Sequence, residues 1–287
     1  MTGMLKKTIL ALSRPMTPKP THIQPRLQSL PNIKSVLFDI YGTLFISAAG
    51  DIGVDTAVDN HQAFQAALHA VGLPALGGAE LLKEAIEAEH RRKRAQGIDF
   101  PEVDIVAIWR QVLVGLMPET TLTDERLQQL ALEYELRSNP VWPMPGLAAL
   151  LAGLKSKGMT MGLISNAQFY TPLLLEAFLQ KPLQTIGFDE DLCIFSYQVG
   201  EAKPSPRLFE LAVTRLARFG IKTDEILYIG NDMLKDVWPA SQVGLRTALF
   251  AGDARSLRLR EDDPRCQGLQ PDLIVKNLPD LLQVCGN

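Results

Sequence analysis

The stretch SVLFDIYGTL, residues 35–44, decides the fold. Ser35 to Ile40 form a short apolar run with β-branched and aromatic members, the length of a buried strand. Gly42 and Thr43 break the run. Asp39 stands where the strand should end, and a carboxylate without purpose after an apolar strand is costly. Asp39 is therefore read as a functional residue.

C-terminal to this strand, residues 45–58 are rich in Ala, Gly and Asp and read as a hairpin or loop. The period then becomes helical, over 59–72, 79–96, 102–116 and 123–138, with no convincing strand between. From Pro143 helices alternate with strands. Helices are expected at 146–157, 169–179, 205–219 and 235–243, and strands at 159–164, 192–196, 226–230, 246–250 and 272–275. Such alternation argues for a parallel sheet covered on both faces. The expected fold is α/β, a Rossmann-like doubly wound parallel sheet with an all-helical cap inserted after the first strand. The expected division is an arm at 1–33, a core at 34–50 and 143–287, and a cap at 51–142, with linkers near 46–56 and 140–145. Ligands of such cores bind beyond the carboxyl ends of the strands, the edge this cap would cover.

N-terminal to the strand, residues 1–38 hold Lys6, Lys7, Arg14, Lys19, Arg26 and Lys34 but no Asp or Glu. Pro15, Pro18, Pro20, Pro25 and Pro31 disfavour a long helix, so an extended arm lying on the body is expected. A targeting segment fits less well, being thin in Arg and without a clear cleavage site.

Composition narrows the function classes. With 46% hydrophobic and 21% charged residues over 287 positions, the chain is globular. No apolar run approaches the roughly 20 residues of a membrane span. A net charge of −3 gives no electrostatic case for nucleic acid. Cys193, Cys266 and Cys285 are odd in number and far apart, which points to a reducing, cytoplasmic compartment. Nothing in the sequence specifies an oligomeric state.

Four polar clusters fall just after expected strands: Asp39 with Tyr41, Gly42 and Thr43; Ser165-Asn166; Lys203-Pro204; and Asn231-Asp232 with Asp236. Together they offer a carboxylate nucleophile, a hydroxyl donor, a cation and further carboxylates. This ordered set, with a helical insert after the first cluster, resembles the haloacid dehalogenase-like (HAD) hydrolases of the helical-cap subfamily, over residues 34–278. The resemblance implies that Asp39 attacks the substrate and forms a covalent aspartyl intermediate. It implies that Ser165 hydrogen-bonds the transferring group, and that Lys203 offsets clustered negative charge. It further implies a Mg²⁺ held by Asp39, the backbone carbonyl of Tyr41, and Asp236 with Asn231 or Asp232. Both spacings to Asp236 occur in the family, so that choice stays open.

One position departs from the pattern. Phosphatases of the family usually carry a second Asp two residues after the nucleophile, as acid and base; here it is Tyr41. A phenol with pKa near 10 is a poor proton donor at neutral pH. Asp-x-Tyr-Gly-Thr instead resembles the 2-haloacid dehalogenases, whose halide leaves without a proton. Those enzymes lack the acidic fourth cluster and carry an Arg about thirty residues after the nucleophile, whereas this chain has no Lys or Arg from Phe45 to Leu82. The expectation is a Mg²⁺-dependent phosphatase of a small phosphate ester. The alternatives are a metal-independent dehalogenase or a non-catalytic scaffold.

The remaining candidates have plainer readings. His61, His69 and His90 are isolated on helical patterns and read as structural or solvent-facing. The basic run His90–Arg94 reads as a solvated face, or as a source of cations for an anionic substrate. Trp109 and Trp142 read as packing, and Arg255–Pro264 as a charged surface loop.

Overall fold

A computed structural model describes residues 2–49 and 60–284. The part of the first linker at 50–56, the expected core–cap boundary at 50/51, and Cys285 lie outside the described residues.

The main sheet has six parallel strands in the order β5-β4-β1-β6-β7-β8. Its members are β1 (Ser35–Phe38), β4 (Thr160–Ser165), β5 (Phe188–Phe195), β6 (Ile226–Gly230), β7 (Arg246–Phe250) and β8 (Leu273–Val275). The remaining two strands, β2 (Phe45–Ser47) and β3 (Val141–Pro143), form a separate antiparallel ribbon. Successive side chains of a strand point to opposite faces, and both faces of β1 are buried. Val36 and Phe38 join the larger apolar cluster, while Leu37 packs with Ile164, Leu208, Phe209 and Tyr228 on the other side. A strand covered twice must be apolar throughout, which is why β1 reads as a continuous run.

The helices, in chain order, are α1 (Thr2–Leu12), α2 (Asn60–Ala70), α3 (Ala79–Arg94), α4 (Ile105–Leu116), α5 (Asp124–Ser138), α6 (Leu147–Ser156), α7 (Thr171–Leu179), α8 (Leu183–Ile186), α9 (Ser196–Val199), α10 (Arg207–Ala217), α11 (Trp238–Gln242) and α12 (Leu281–Val284). Helices α2–α5 form the helical insert. Asp104 caps α4 by accepting from Val106 N at 2.9 Å, and Thr123 caps α5 by accepting from Arg126 N at 3.4 Å. Phe64, Trp109 and Tyr134 pack ring on ring at the centre of the insert, with centroids 5.1–6.1 Å apart.

The stretch 45–58, expected as a hairpin or loop, begins as strand β2, and its partner is the distant β3, so the two chain crossings are joined. Phe45, Ile46 and Ser47 pair with Pro143, Trp142 and Val141. Ser47 Oγ donates to Asn139 Oδ1 at 2.8 Å, and Ala48 N to Pro140 O at 3.0 Å.

The N-terminal segment also differs from the extended chain expected of it. Residues 2–12 form α1, whose Leu5 and Ile9 are buried one helical turn apart. The prolines set only where the helix stops. Helix α1 packs on both α5 and α7. Gln129 Nε2 of α5 donates to Thr8 Oγ1 at 2.9 Å, and Lys6 pairs with Glu176 of α7 at 2.5 Å. The chain beyond α1 runs extended. Arg26 exchanges two 2.9 Å backbone hydrogen bonds with Ile274, covering the edge of β8. Ile9→Asp should detach α1, because a carboxylate cannot replace a fully buried Ile at no cost. The expected loss is about 2–3 kcal/mol in denaturant unfolding, with new proteolytic cleavage before residue 30.

Candidate active site

Three adjacent parallel strands end together. Phe38 aligns with Leu163 of β4 and with Ile229 of β6, so the residues just beyond these positions converge on one edge. They are Asp39, Ser165 and Asn231. The remaining cluster contributes Lys203, which precedes α10. All four side chains are buried.

Asp39 is held asymmetrically. Its Oδ1 accepts from Lys203 Nζ at 2.7 Å and from Ser165 Oγ at 3.1 Å. Its Oδ2 lies 3.4 Å from Thr43 Oγ1, whose hydroxyl is also 3.1 Å from Asn231 Oδ1. Gly42 has φ +82°, and a Cβ there would strike Ser256 and Asn231 at 2.5–2.9 Å. The turn after Asp39 therefore needs glycine both for its dihedral and for its clearance.

Lys203 is the hub. Besides Asp39, its ammonium contacts Asp236 Oδ1 at 2.5 Å, Tyr228 OH at 3.1 Å and Ile164 O at 3.4 Å. Burial opposes its charge, but the carboxylates of Asp236 and Asp39 outweigh burial and hold its pKa above the ordinary lysine value. Burial pushes Asp236 up to about 6, with Lys203 pulling down and Asp39 and Asp232 pushing up. Gly230 makes room for Asp236: a Cβ there would lie 2.2 Å from its carboxyl carbon. Asn166 sits behind Lys203, accepting from Lys203 N at 2.7 Å and donating to Lys203 O at 3.2 Å. It fixes the lysine backbone.

Asn231 and Asp232 point to different partners. Asn231 Oδ1 accepts from Thr43 Oγ1, while its Nδ2 donates to Ser256 O at 2.5 Å. Asp232 takes a guanidinium fork from Arg260, with contacts of 2.6–3.2 Å, and accepts from Leu234 N and Lys235 N in the π-helical turn Met233–Val237. The segment expected as a charged surface loop thus braces this cluster. Met233 N donates to Arg258 O at 2.9 Å, and Arg258 N to Asn231 O at 3.0 Å.

Tyr41 turns its phenol to Thr171 Oγ1 at 3.0 Å, at the start of α7. Burial, then the nearby Glu135 carboxylate, push its pKa well above 10. Above these residues lies a cavity of about 820 Å³. Asp39, Tyr41, Lys203 and Asn231 form part of its wall, and Glu80, Lys83, His90, Glu102 and Glu135 line it from the helical insert and the segment joining α3 to α4.

A family model of the haloacid dehalogenase-like hydrolases matches residues 33–244. The chain belongs to this family. Phosphoglycolate phosphatase of Shigella boydii is 28% identical over 278 residues, covering 89% of this chain and 93% of that relative. Phosphoserine phosphatase of Thermus thermophilus is 27% identical over 190 residues, covering 63% and 68%. The crystal structure of 2-haloacid dehalogenase from Pseudomonas syringae pathovar tomato superposes with a TM-score of 0.54 at 22% identity, covering 88% of this chain and 97% of that one. That likeness is one of fold.

The HAD resemblance implies Mg²⁺, and the donor chemistry fits it. Asp39, Asp232 and Asp236 are three buried carboxylates against two cations, Lys203 and Arg260, so the cluster carries excess negative charge. Among the described residues no group of three or more His, Cys, Asp or Glu is arranged for a metal. The donors present, Asp39 and Asp236 beside the neutral Asn231, suit a hard cation that takes few carboxylates and completes its shell with neutral oxygens, water and substrate, which is the habit of Mg²⁺.

Sequence reasoning missed Tyr228, Arg260 and Glu135. The cations Arg91, Arg92 and Arg94 do not line the cavity, and Arg92 is paired outward with Glu89 at 2.6 Å. His90 does line it, with Nε2 buried and unpartnered.

Proposed function

We propose that this HAD-like hydrolase is a phosphatase of a small phosphomonoester, acting through a covalent aspartyl-phosphate on Asp39. The observation that carries this reading is the asymmetric tether of Asp39 at the cavity wall. Lys203 and Ser165 fix Oδ1, which leaves Oδ2 to attack phosphorus along a set direction. The Thr43 and Ser165 hydroxyls stand beside the attacking carboxylate, and when substrate is bound each turns its one proton from its present acceptor to a phosphoryl oxygen. Lys203 balances the charge that gathers there. Asn166, Tyr228 and Asp236 act through Lys203, by holding its backbone and ammonium in place.

A divalent cation would be held by Asp39, the Tyr41 carbonyl and Asn231, next to Asp236, with Asp232 left to Arg260. When bound, Mg²⁺ supplies charge neutralisation between the carboxylate and the incoming phosphate. The phosphatase relatives support a small phosphate ester as substrate. A cytoplasmic setting is part of the proposal. The free thiols of Cys193 and Cys266 are buried, and burial pushes Cys193 up to about 12. No helix among the described residues is long and apolar enough to cross a membrane.

Phosphate release from p-nitrophenyl phosphate tests the reading, with Mg²⁺ and with chelator. The expected result is metal-dependent release, because an aryl leaving group needs little protonation. Absence of release, together with metal-independent halide release from a 2-haloacid, would assign the site to dehalogenation instead.

A further inference from the structure

Cleaving an alkyl phosphate expels an alkoxide, which needs a proton as it leaves. The phenol of Tyr41 is engaged with Thr171 and holds its proton too tightly to serve. The acids around the cavity separate by their partners. Asp232 is forked by Arg260, and Asp236 is bound to Lys203. Glu87 has Lys83 and Arg91 within 4.0 Å, and Glu80 is exposed. Glu102 accepts from Ser196 Oγ at 2.6 Å, Val103 N at 2.9 Å and Gln168 Nε2 at 3.4 Å, with the Lys93 ammonium near enough to favour its charged form, and braces that wall.

Glu135 differs. It lies on the last turn of α5 and opens on the same cavity as Asp39. Its Oε2 accepts from Tyr170 OH at 3.0 Å and its Oε1 from Asn139 Nδ2 at 3.1 Å, two neutral donors. Tyr170 is the chain neighbour of Thr171, which holds Tyr41. The start of α7 therefore gathers the Glu135 carboxyl toward the loop that follows the nucleophile.

We propose that Glu135 is the general acid and base of this site, supplied by the helical insert rather than by the loop carrying Asp39. The inference rests on the phosphatase reading above. In the first step an Asp39 oxygen bonds to phosphorus, the phosphorus–oxygen bond to the leaving group breaks, and the Glu135 proton moves to that oxygen to give the alcohol. In the second step a water oxygen attacks the aspartyl-phosphate phosphorus while Glu135 takes a water proton. The bond to Asp39 breaks, releasing inorganic phosphate and regenerating the Asp39 carboxylate and protonated Glu135. Burial raises the Glu135 pKa, against the hydrogen bonds from Asn139 and Tyr170 that lower it. The phenols of Tyr41, Tyr134 and Tyr170 feel its charge, and all three are held neutral.

Single-turnover kinetics of Glu135→Gln on two leaving groups tests the role. Release of nitrophenolate from p-nitrophenyl phosphate should change less than about threefold, since that leaving group needs no acid. Release of glycerol from glycerol 2-phosphate should fall about 10²-fold or more. In steady state the variant should show a nitrophenolate burst, because hydrolysis of the aspartyl-phosphate is slowed. Adding Tyr41→Asp to Glu135→Gln should restore glycerol release by placing a carboxyl on the loop instead. Equal losses on both substrates, or no loss on either, would overturn the proposal, as would failure of the rescue. Wild-type turnover of p-nitrophenyl phosphate that Asp39→Asn abolishes keeps the underlying reading standing in each case. Its absence removes that reading itself.

Discussion

Asp39→Asn should abolish turnover of p-nitrophenyl phosphate, by at least about 10⁴-fold, and leave the protein folded. The size of the effect follows from what the carboxylate does. An amide is a poor nucleophile toward phosphorus, and loss of the covalent step leaves only binding and electrostatic stabilisation. Folding should be spared for a geometric reason. The Asn Oδ1 can take the hydrogen bonds that Lys203 and Ser165 now give at 2.7 and 3.1 Å. The change also removes one negative charge beside Asp236, whose own acidity Asp39 weakens. Unfolding free energy should shift by no more than about 1 kcal/mol, measured in urea. Wild-type protein quenched during turnover should carry one phosphoryl group on the peptide containing Asp39, and the variant none. Retained turnover, or a phosphoryl group elsewhere, would end the covalent mechanism.

The parts of this molecule legible in its sequence are those written in local signals. Strand β1 was readable because it is apolar on both faces and ends in a glycine turn. The four polar clusters were readable because each directly follows a strand or opens a helix, and the parallel sheet gathers its strand ends on one edge. Non-local choices were not visible. Helix α1 ends before the first proline, Pro15, and is stabilised by docking Leu5 and Ile9 on α5 and α7. The β2–β3 ribbon is six residues in two distant pieces, too short for either to show a period. The spacing to Asp236 left Asn231 and Asp232 equivalent; Arg260, from a segment read as solvent-facing, sets them apart. Glu135 had one faint signal. Leu132 lies three residues before it and Asn139 four after, both buried, so a charge was placed on an inward stripe of α5.

Lys203→Met should be the most damaging change to stability within the site, and its damage should depend on pH. The ammonium bonds two carboxylate oxygens and the Tyr228 hydroxyl in a buried space. Methionine fills similar volume but leaves Asp39 and Asp236 facing each other without a cation. Removing one partner of a buried ion pair costs about 3–5 kcal/mol, most of it the charge left behind. The cluster can limit that cost by taking up a proton. Asp236 is raised from 3.8 to about 6 even with Lys203 present. An acid whose pKa is higher folded than unfolded destabilises the fold as pH rises through that interval, because the unfolded chain releases the proton more readily. Without Lys203 the folded value climbs further and the interval extends upward. Urea unfolding of Lys203→Met should therefore show a loss of about 3–5 kcal/mol at pH 8 that shrinks toward pH 5. Turnover should be lost at both pH values, since protonation restores neutrality but not the cation that orients Asp39. A loss of stability equal at pH 5 and pH 8 would mean that Lys203 acts through packing alone. The charge balance drawn here for Asp39, Lys203 and Asp236 would then be wrong.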